Sequence, residues 1–356
     1  MSYKREDDTN LVSTQFAQEA AKYYKLAKEE EKTQELTERY QHLKENMKLG
    51  KFSRKIDLTQ IMDFVMKVSD DVSNKRIEEI LQILMYDGNI IPSYDELEKQ
   101  AKEQKKNNPM QFHATTSVID NIGHISEYFS TDEESMYLAI LQNFDFSIQF
   151  RGSHLLREII IKGVLKGNIT TTDFIQFMRE KTWLGQNITR TFKQGEQEVY
   201  NWLNLLMPSI NDYLVQLHFY LTNQNNHLNF VLCIDSLAVK IEGILRDMLN
   251  MGGGTSFFFT PDKIGRSVAR EKDINALLHE DVIKNLISKD DLLFLKYLLV
   301  EKAGLNLRNK VSHSLFRHIQ NYSIDYMNLL IIAVLRLAKS EYFPLNKEDD
   351  TSANKG

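Results

Sequence analysis

The chain has 356 residues, a formal net charge of −5, 42% apolar residues, and only 1 Cys, 5 Pro and 15 Gly. The acidic total excludes a protein that coats nucleic acid by bulk attraction, so any RNA contact has to come from a local patch. The lone Cys233 excludes an intrachain disulfide and a cysteine-rich zinc site, and the scarcity of Pro and Gly favours long helices over many short strands.

Residues 1–10 are mostly polar or charged and lack a basic-then-apolar leader; they read as disordered, at the start of a cytoplasmic protein. From Leu11 to about Leu49 the chain is rich in Glu, Lys, Ala and Gln, and Leu36, Tyr40, Leu43 and Met47 trace one stripe, which predicts a single long helix. Asp57 with Gln60 predicts a capping box before Ile61, Phe64, Val65 and Val68, and a second start at Asn74 leads into Ile77, Ile80, Leu81 and Leu84. A charged run, Glu96 to Lys106, meets the breaker Asn107-Asn108-Pro109, read as a connection within an N-terminal unit. Further capped starts are expected at Thr131, with Glu134, and at Thr172.

The tract from Gly195 to Met207 ends at Pro208, which is read as beginning a new helix and as marking a domain boundary. The expected organisation is all-α: an N-terminal helical domain over 11–207, a second helical domain over 208–345, and a disordered tail over 346–356. Asn223 to Asn226 read as a polar turn before the most apolar helix of the middle region. Gly252-Gly253-Gly254 lacks the Lys and Ser or Thr of a phosphate-cradling loop and follows a helix, so a flexible loop is expected there. Short helical pieces are predicted near Asp262 to Arg270 and Ile274 to Leu286, then two strong helices, Asp290 to Glu301 and Ser323 to Tyr342. The last is apolar around most of its circumference and demands burial. Its core, Met327 to Leu337, is shorter than the roughly 20 residues of a membrane span and contains Arg336, so no membrane association is expected.

Chemistry concentrates in Gly304-Leu305-Asn306-Leu307-Arg308-Asn309-Lys310-Val311-Ser312-His313-Ser314-Leu315. Asn306 is a good N-cap, and on the helix that follows Asn309 and His313 share a face, while Arg308 lies roughly 140° from His313, within an arginine's reach. A helix start adds free N–H groups suited to phosphate. Metal-independent RNA cleavage needs a base for the 2′-hydroxyl, an acid for the 5′-oxygen and positive charge on the crowded phosphate. Imidazole and guanidinium chemistry supply these: His313 is the candidate acid or base, Arg308 the phosphate ligand, and Asn309 orients the imidazole or holds a non-bridging oxygen. Lys310, Ser312 and Arg317 stand beside them as candidate substrate contacts. Arg308, Lys310, Arg317, His318, Arg336 and Lys339 make the C-terminal region locally basic, which suits an RNA backbone; a solvated helix face is the plain alternative. Cys233 among Phe230, Val231, Ile234 and Leu237 reads as a buried small hydrophobe, and the histidines lack the paired spacing of a metal site.

Arg308-Asn-x-x-x-His313 at the start of the penultimate helix of an all-α region resembles the Arg-x4-6-His signature of the HEPN superfamily. More narrowly, Ile241-Glu242-Gly243-Ile244-Leu245-Arg246-Asp247-Met248-Leu249 followed by Gly304-Leu305-Asn306-Leu307-Arg308-Asn309 is similar to an uncharacterised bacterial branch of it, over about residues 210–343. The resemblance implies a homodimer whose motifs face each other across one cleft. It also implies endoribonuclease activity leaving 2′,3′-cyclic phosphate and 5′-hydroxyl ends, carried by Arg308, Asn309 and His313 without metal or cofactor. The helix bearing Glu242 and Arg246 contributes polar residues to such sites. Members of this branch usually carry Gly after the His, where this chain has Ser314.

The partners expected are therefore RNA, a second copy of the chain, and a regulatory protein engaging the N-terminal domain, as in a toxin or antiviral effector. The competing reading is a non-catalytic helical module in which the same Arg and His hold a nucleotide, an RNA end or a dimer interface.

Overall fold

A computed structural model describes residues 11–47, 55–120, 123–191, 195–223 and 227–343. The expectations for residues 1–10, the helix end near Leu49, most of the Asn223–Asn226 turn and the tail at 346–356 lie outside the described residues. The fold is all-α. Strands are confined, among the described residues, to three short two-stranded antiparallel hairpins.

In chain order, α1 (Leu11–Leu26) and α2 (Glu30–Asn46) replace the single long helix expected there. The break is at Lys28, which adopts a left-handed φ of 61° that no helix can contain. The helices α3 (Thr59–Ser73) and α4 (Ile77–Tyr86) begin at Leu58 and Arg76 without a side-chain cap. The first of them thus starts one residue after the predicted cap at Asp57. Next come α5 (Tyr94–Asn107), α6 (Pro109–His113), β1 (Thr116–Ile119) and β2 (Ile125–Phe129). The box at Thr131 and Glu134 closes in both directions and starts α7 (Asp132–Ser147), which passes through a π-turn at Ile148–Gly152 into α8 (Ser153–Leu165). At α9 (Thr171–Lys181) the cap is Thr170, whose hydroxyl accepts from the Asp173 N–H, and not Thr172.

A second hairpin, β3 (Ile188–Thr191) with β4 (Gln197–Tyr200), precedes α10 (Trp202–Thr222). Pro208 lies inside α10 instead of opening a helix. An interior proline costs about 3 kcal/mol, and α10 offsets it by burying Trp202, Leu203, Leu206, Met207, Ile210, Tyr213, Leu214 and Leu217. After α11 (Val231–Met251) comes a third hairpin, β5 (Phe257–Pro261) with β6 (Ser267–Glu271), where a short helix was expected. Asp262 explains it: its carboxylate accepts from the N–H groups of Ile264 and Arg266, and Gly265 takes a left-handed φ of 85°, a turn that reverses the chain. The chain closes with α12 (Ile274–His279), α13 (Asp281–Leu286), α14 (Lys289–Leu299), α15 (Leu307–Ser312) and α16 (Ile324–Leu337).

The described residues form two compact units, one from within 1–57 and 104–138, the other from within 58–103 and 139–356. In the first, α1 and α2 pack as a helical hairpin, and Tyr40 of α2 stacks on His124 while its hydroxyl meets His124 Nδ1 at 2.8 Å. In the second, α16 is central. Every residue from Met327 to Leu337 is buried, and the helix packs against α4, α8, α11 and α14. Arg336 is buried there because Asp291 of α14 accepts from it at 2.6 Å and from Lys339 at 2.6 Å, and Arg336 also donates to the Asp87 carbonyl at 2.8 Å, 249 residues away in sequence. Both cations are thereby removed from the basic surface expected of this region. No helix among the described residues is long and apolar enough to cross a membrane.

Candidate functional site

The segment between α14 and α16 is built around close backbone approach. A Cβ on Gly304 would stand 2.4 Å from the Tyr297 carbonyl, which also accepts the Leu305 N–H at 2.8 Å. Gly304 therefore serves contact with Tyr297 more than helix breaking, since α14 has already ended at Leu299. Asn306 takes a left-handed φ of 52° and makes no side-chain cap to α15, contrary to expectation. Its Oδ1 accepts instead from Asn309 Nδ2 at 2.7 Å.

Leu307 is fully buried and pins α15, which puts Arg308 against α11. There Arg308 donates Nε to Glu242 Oε2 at 2.9 Å, with Nη2 at 2.9 Å from the same oxygen. Glu242 Oε1 accepts from Arg246 Nη2 at 2.9 Å. One carboxylate thus lies between two guanidinium groups, and the intrahelical pair Glu242–Arg246 is part of the cluster. Arg246 reaches the base of the third hairpin: Nη2 donates to the Lys272 carbonyl at 3.0 Å, and Nε lies 3.1 Å from Glu271 Oε2, an ion-pair contact without an aligned hydrogen bond. Asn309 Oδ1 accepts from Arg308 Nη1 at 3.4 Å. Both ends of the Asn309 amide are therefore engaged by Arg308 and Asn306, and it does not orient the imidazole.

His313 is the C-cap of α15, one turn beyond Asn309, whose carbonyl accepts its N–H at 3.0 Å. Its ring is exposed and has no partner among the described residues. Ser312 and Arg317 are also exposed. Lys310 is half-buried without an ion-pair partner among the described residues, and burial pushes its ammonium pKa below the usual lysine range. The helix closes on Ser314, with φ 52°: its N–H bonds to the Val311 carbonyl at 3.0 Å and the Leu315 N–H to the Lys310 carbonyl at 2.8 Å. This is a Schellman termination with serine in the left-handed position that glycine favours. The same termination ends α11, with Gly253 in that position, so the three-glycine run is a helix stop and not a slack loop.

The structure thus joins Arg308, Asn309, Glu242 and Arg246 in one cluster and leaves His313, Ser312 and Arg317 outside it, on the exposed end of α15. Sequence reasoning missed Asp247. It is buried, and accepts from Arg190 Nη2 at 2.6 Å, from Trp202 Nε1 at 2.8 Å and from the Tyr200 hydroxyl. Its place between Leu245 and Met248, both apolar, was the available signal. Gly243 has a partner reason: a Cβ there would lie 2.5 Å from the Trp202 ring. Cys233 is buried, donates to Asp212 at 3.1 Å, and has its thiol pKa pushed up by burial. A polar cavity of about 370 Å³, lined by His154, Arg157, Leu305, Asn321 and Tyr326, opens beside the same segment. Among the described residues no group of three His, Cys, Asp or Glu side chains is placed to hold a metal ion.

Comparison with protein-family models, with curated proteins and with solved structures gives no match. The class that the fold defines is an all-α protein with a Glu242-centred ionic cluster between two helices.

Proposed function

We propose that this chain is a metal-independent endoribonuclease of HEPN type. His313 acts as the general acid or base, Arg308 holds the phosphate, and attack by the 2′-hydroxyl leaves a 2′,3′-cyclic phosphate and a 5′-hydroxyl. The single observation that carries the reading is the contrast along α15: Arg308 is held by Glu242 and Asn309, whereas the His313 ring, one turn after Asn309, stands in solvent with no partner among the described residues. An exposed imidazole on the same short helix as a pre-ordered guanidinium supplies the two kinds of group that general acid–base chemistry on a phosphodiester uses. One copy offers one such imidazole, so separate acid and base roles call for a second copy across a shared cleft. RNA is the substrate and a homodimer the working form.

A specific observation favours a second reading, a non-catalytic RNA- or nucleotide-binding module. Glu242 balances charge on Arg308 and Arg246, which weakens the field available to a transition-state phosphate. Incubation of the purified chain with single-stranded RNA and EDTA, alongside His313→Ala, decides between them. Cleavage by the parent chain with cyclic-phosphate ends, lost in the variant, is the expected result; equal cleavage by both proteins defeats the assignment, and binding without cleavage selects the second reading.

A further inference from the structure

The third hairpin carries more apolar surface into solvent than a structural ribbon needs. Phe257, Phe258 and Phe259 are 39%, 45% and 71% exposed, and Ile264 in the turn is 73% exposed. By strand alternation Phe257 and Phe259 share one face, with ring centroids 5.6 Å apart, while Phe258 stands on the other face directly across from Arg270.

The charges on this hairpin sort by sign. Both carboxylates are already engaged: Asp262 by Arg266 at 2.8 Å and by the turn N–H groups, and Glu271 by Arg246. Lys263 and Arg270 are exposed and have no acidic partner among the described residues. What the hairpin offers outward is thus aromatic rings and unspent positive charge. That pairing fits single-stranded nucleic acid, whose bases stack on aromatic faces and whose phosphates take the cations. A second copy of this acidic chain is less well matched, because the apolar surface is split between the two faces of a narrow ribbon.

Position supplies the remaining link. Phe257 pairs in register with Glu271, and Glu271 is the residue that contacts Arg246, which shares Glu242 with Arg308. The aromatic ladder therefore begins at the ionic cluster and runs outward from it.

We infer that the β5–β6 hairpin is a single-strand RNA platform, stacking bases on Phe257 and Phe259 and holding the backbone through Lys263 in the turn. It delivers the strand to the Arg308 cluster. This rests on the RNA-directed reading of the site, but on binding and not on cleavage.

The test uses the full chain carrying His313→Ala, so that RNA stays intact, with fluorescence anisotropy of a labelled 12-nucleotide oligouridylate. Relative to that parent, adding Phe257→Ser with Phe259→Ser weakens binding at least about tenfold, and Lys263→Glu weakens it and lowers the salt dependence by about one phosphate contact. An RNA duplex of equal length is affected less by the serine pair. Circular dichroism establishes that each variant is folded, and Thr260→Ser provides a neutral hairpin control. Binding within twofold of the parent in both variants, or no binding of the oligouridylate by the parent, overturns the inference. So does a serine variant that turns a dimer into a monomer in sedimentation while keeping its RNA affinity, which assigns the hairpin to a subunit interface. Cleavage is scored separately on the native sequence. Hairpin-dependent binding without cleavage leaves this inference standing and removes only the catalytic one.

Discussion

Glu242 Oε2 receives both Nε and Nη2 of Arg308 at 2.9 Å, so the guanidinium that carries the candidate chemistry is held by a carboxylate from α11, 66 residues earlier in the chain. The same carboxylate holds Arg246. Orientation and part of the charge compensation come from one residue.

Glu242→Gln leaves two partly buried guanidinium groups facing each other across a neutral amide. Stability falls by about 1–3 kcal/mol, less than for a fully buried pair because all three side chains retain some solvent contact. Urea denaturation measures it; a loss below about 0.5 kcal/mol means the cluster does not help hold α15 to α11.

Gly243→Ala presses a methyl group into the Trp202 indole, whose N–H is committed to Asp247. Overpacking of this kind costs about 1–3 kcal/mol. Because Asp247 also accepts from Arg190 and Tyr200, the β3–β4 hairpin loosens with it. Tryptophan fluorescence and thermal melting report both effects, and an unshifted emission spectrum with unchanged Tm counts against the contact.

Asp291→Asn is expected to be the most damaging of these changes, at about 3–5 kcal/mol, because it strands buried Arg336 and Lys339. Burial alone raises the Asp291 pKa, but the two cations outweigh it and hold the carboxyl below the usual range. A depressed folded-state pKa contributes stability that is fully present above the ordinary carboxylate value of about 3.9 and is lost as pH falls through the lower folded value. The native chain should therefore lose stability below about pH 4 more steeply than the variant. Parallel acid limbs in the two unfolding curves argue against this origin.

Ser314→Gly relieves a left-handed serine and stabilises the end of α15 by about 1 kcal/mol, whereas Gly253→Ala imposes the same strain on α11 and destabilises by about as much. Opposite shifts in Tm are expected. Shifts of the same sign defeat the equivalence of the two helix ends.

The all-α character was legible because it depends on local pattern. The apolar circumference of α16 predicted its burial, and the reciprocal box at Thr131 and Glu134 closes as written in the chain. The hairpins were illegible for the opposite reason: four- and five-residue strands carry little periodicity, and Asp262 with Gly265 marks a turn without saying what flanks it. Pro208 misled because its local cost is offset by tertiary burial of α10. At the site, the placement of Arg308 at a helix start was readable, but its partner was not, since no spacing rule links Glu242 to α15. Arg336 and Lys339 looked like surface charge for the same reason, their carboxylate lying more than 40 residues earlier on α14.

The hydrogen bond from Arg336 to the Asp87 carbonyl has a consequence for biosynthesis. During translation α4 emerges long before α16, and in the meantime α3 and α9 leave part of its apolar side uncovered. The growing polypeptide must therefore be shielded, by chaperones or by transient collapse, until α16 clears the ribosome. Premature termination upstream of α16 should yield insoluble fragments even where most of the other helices are complete.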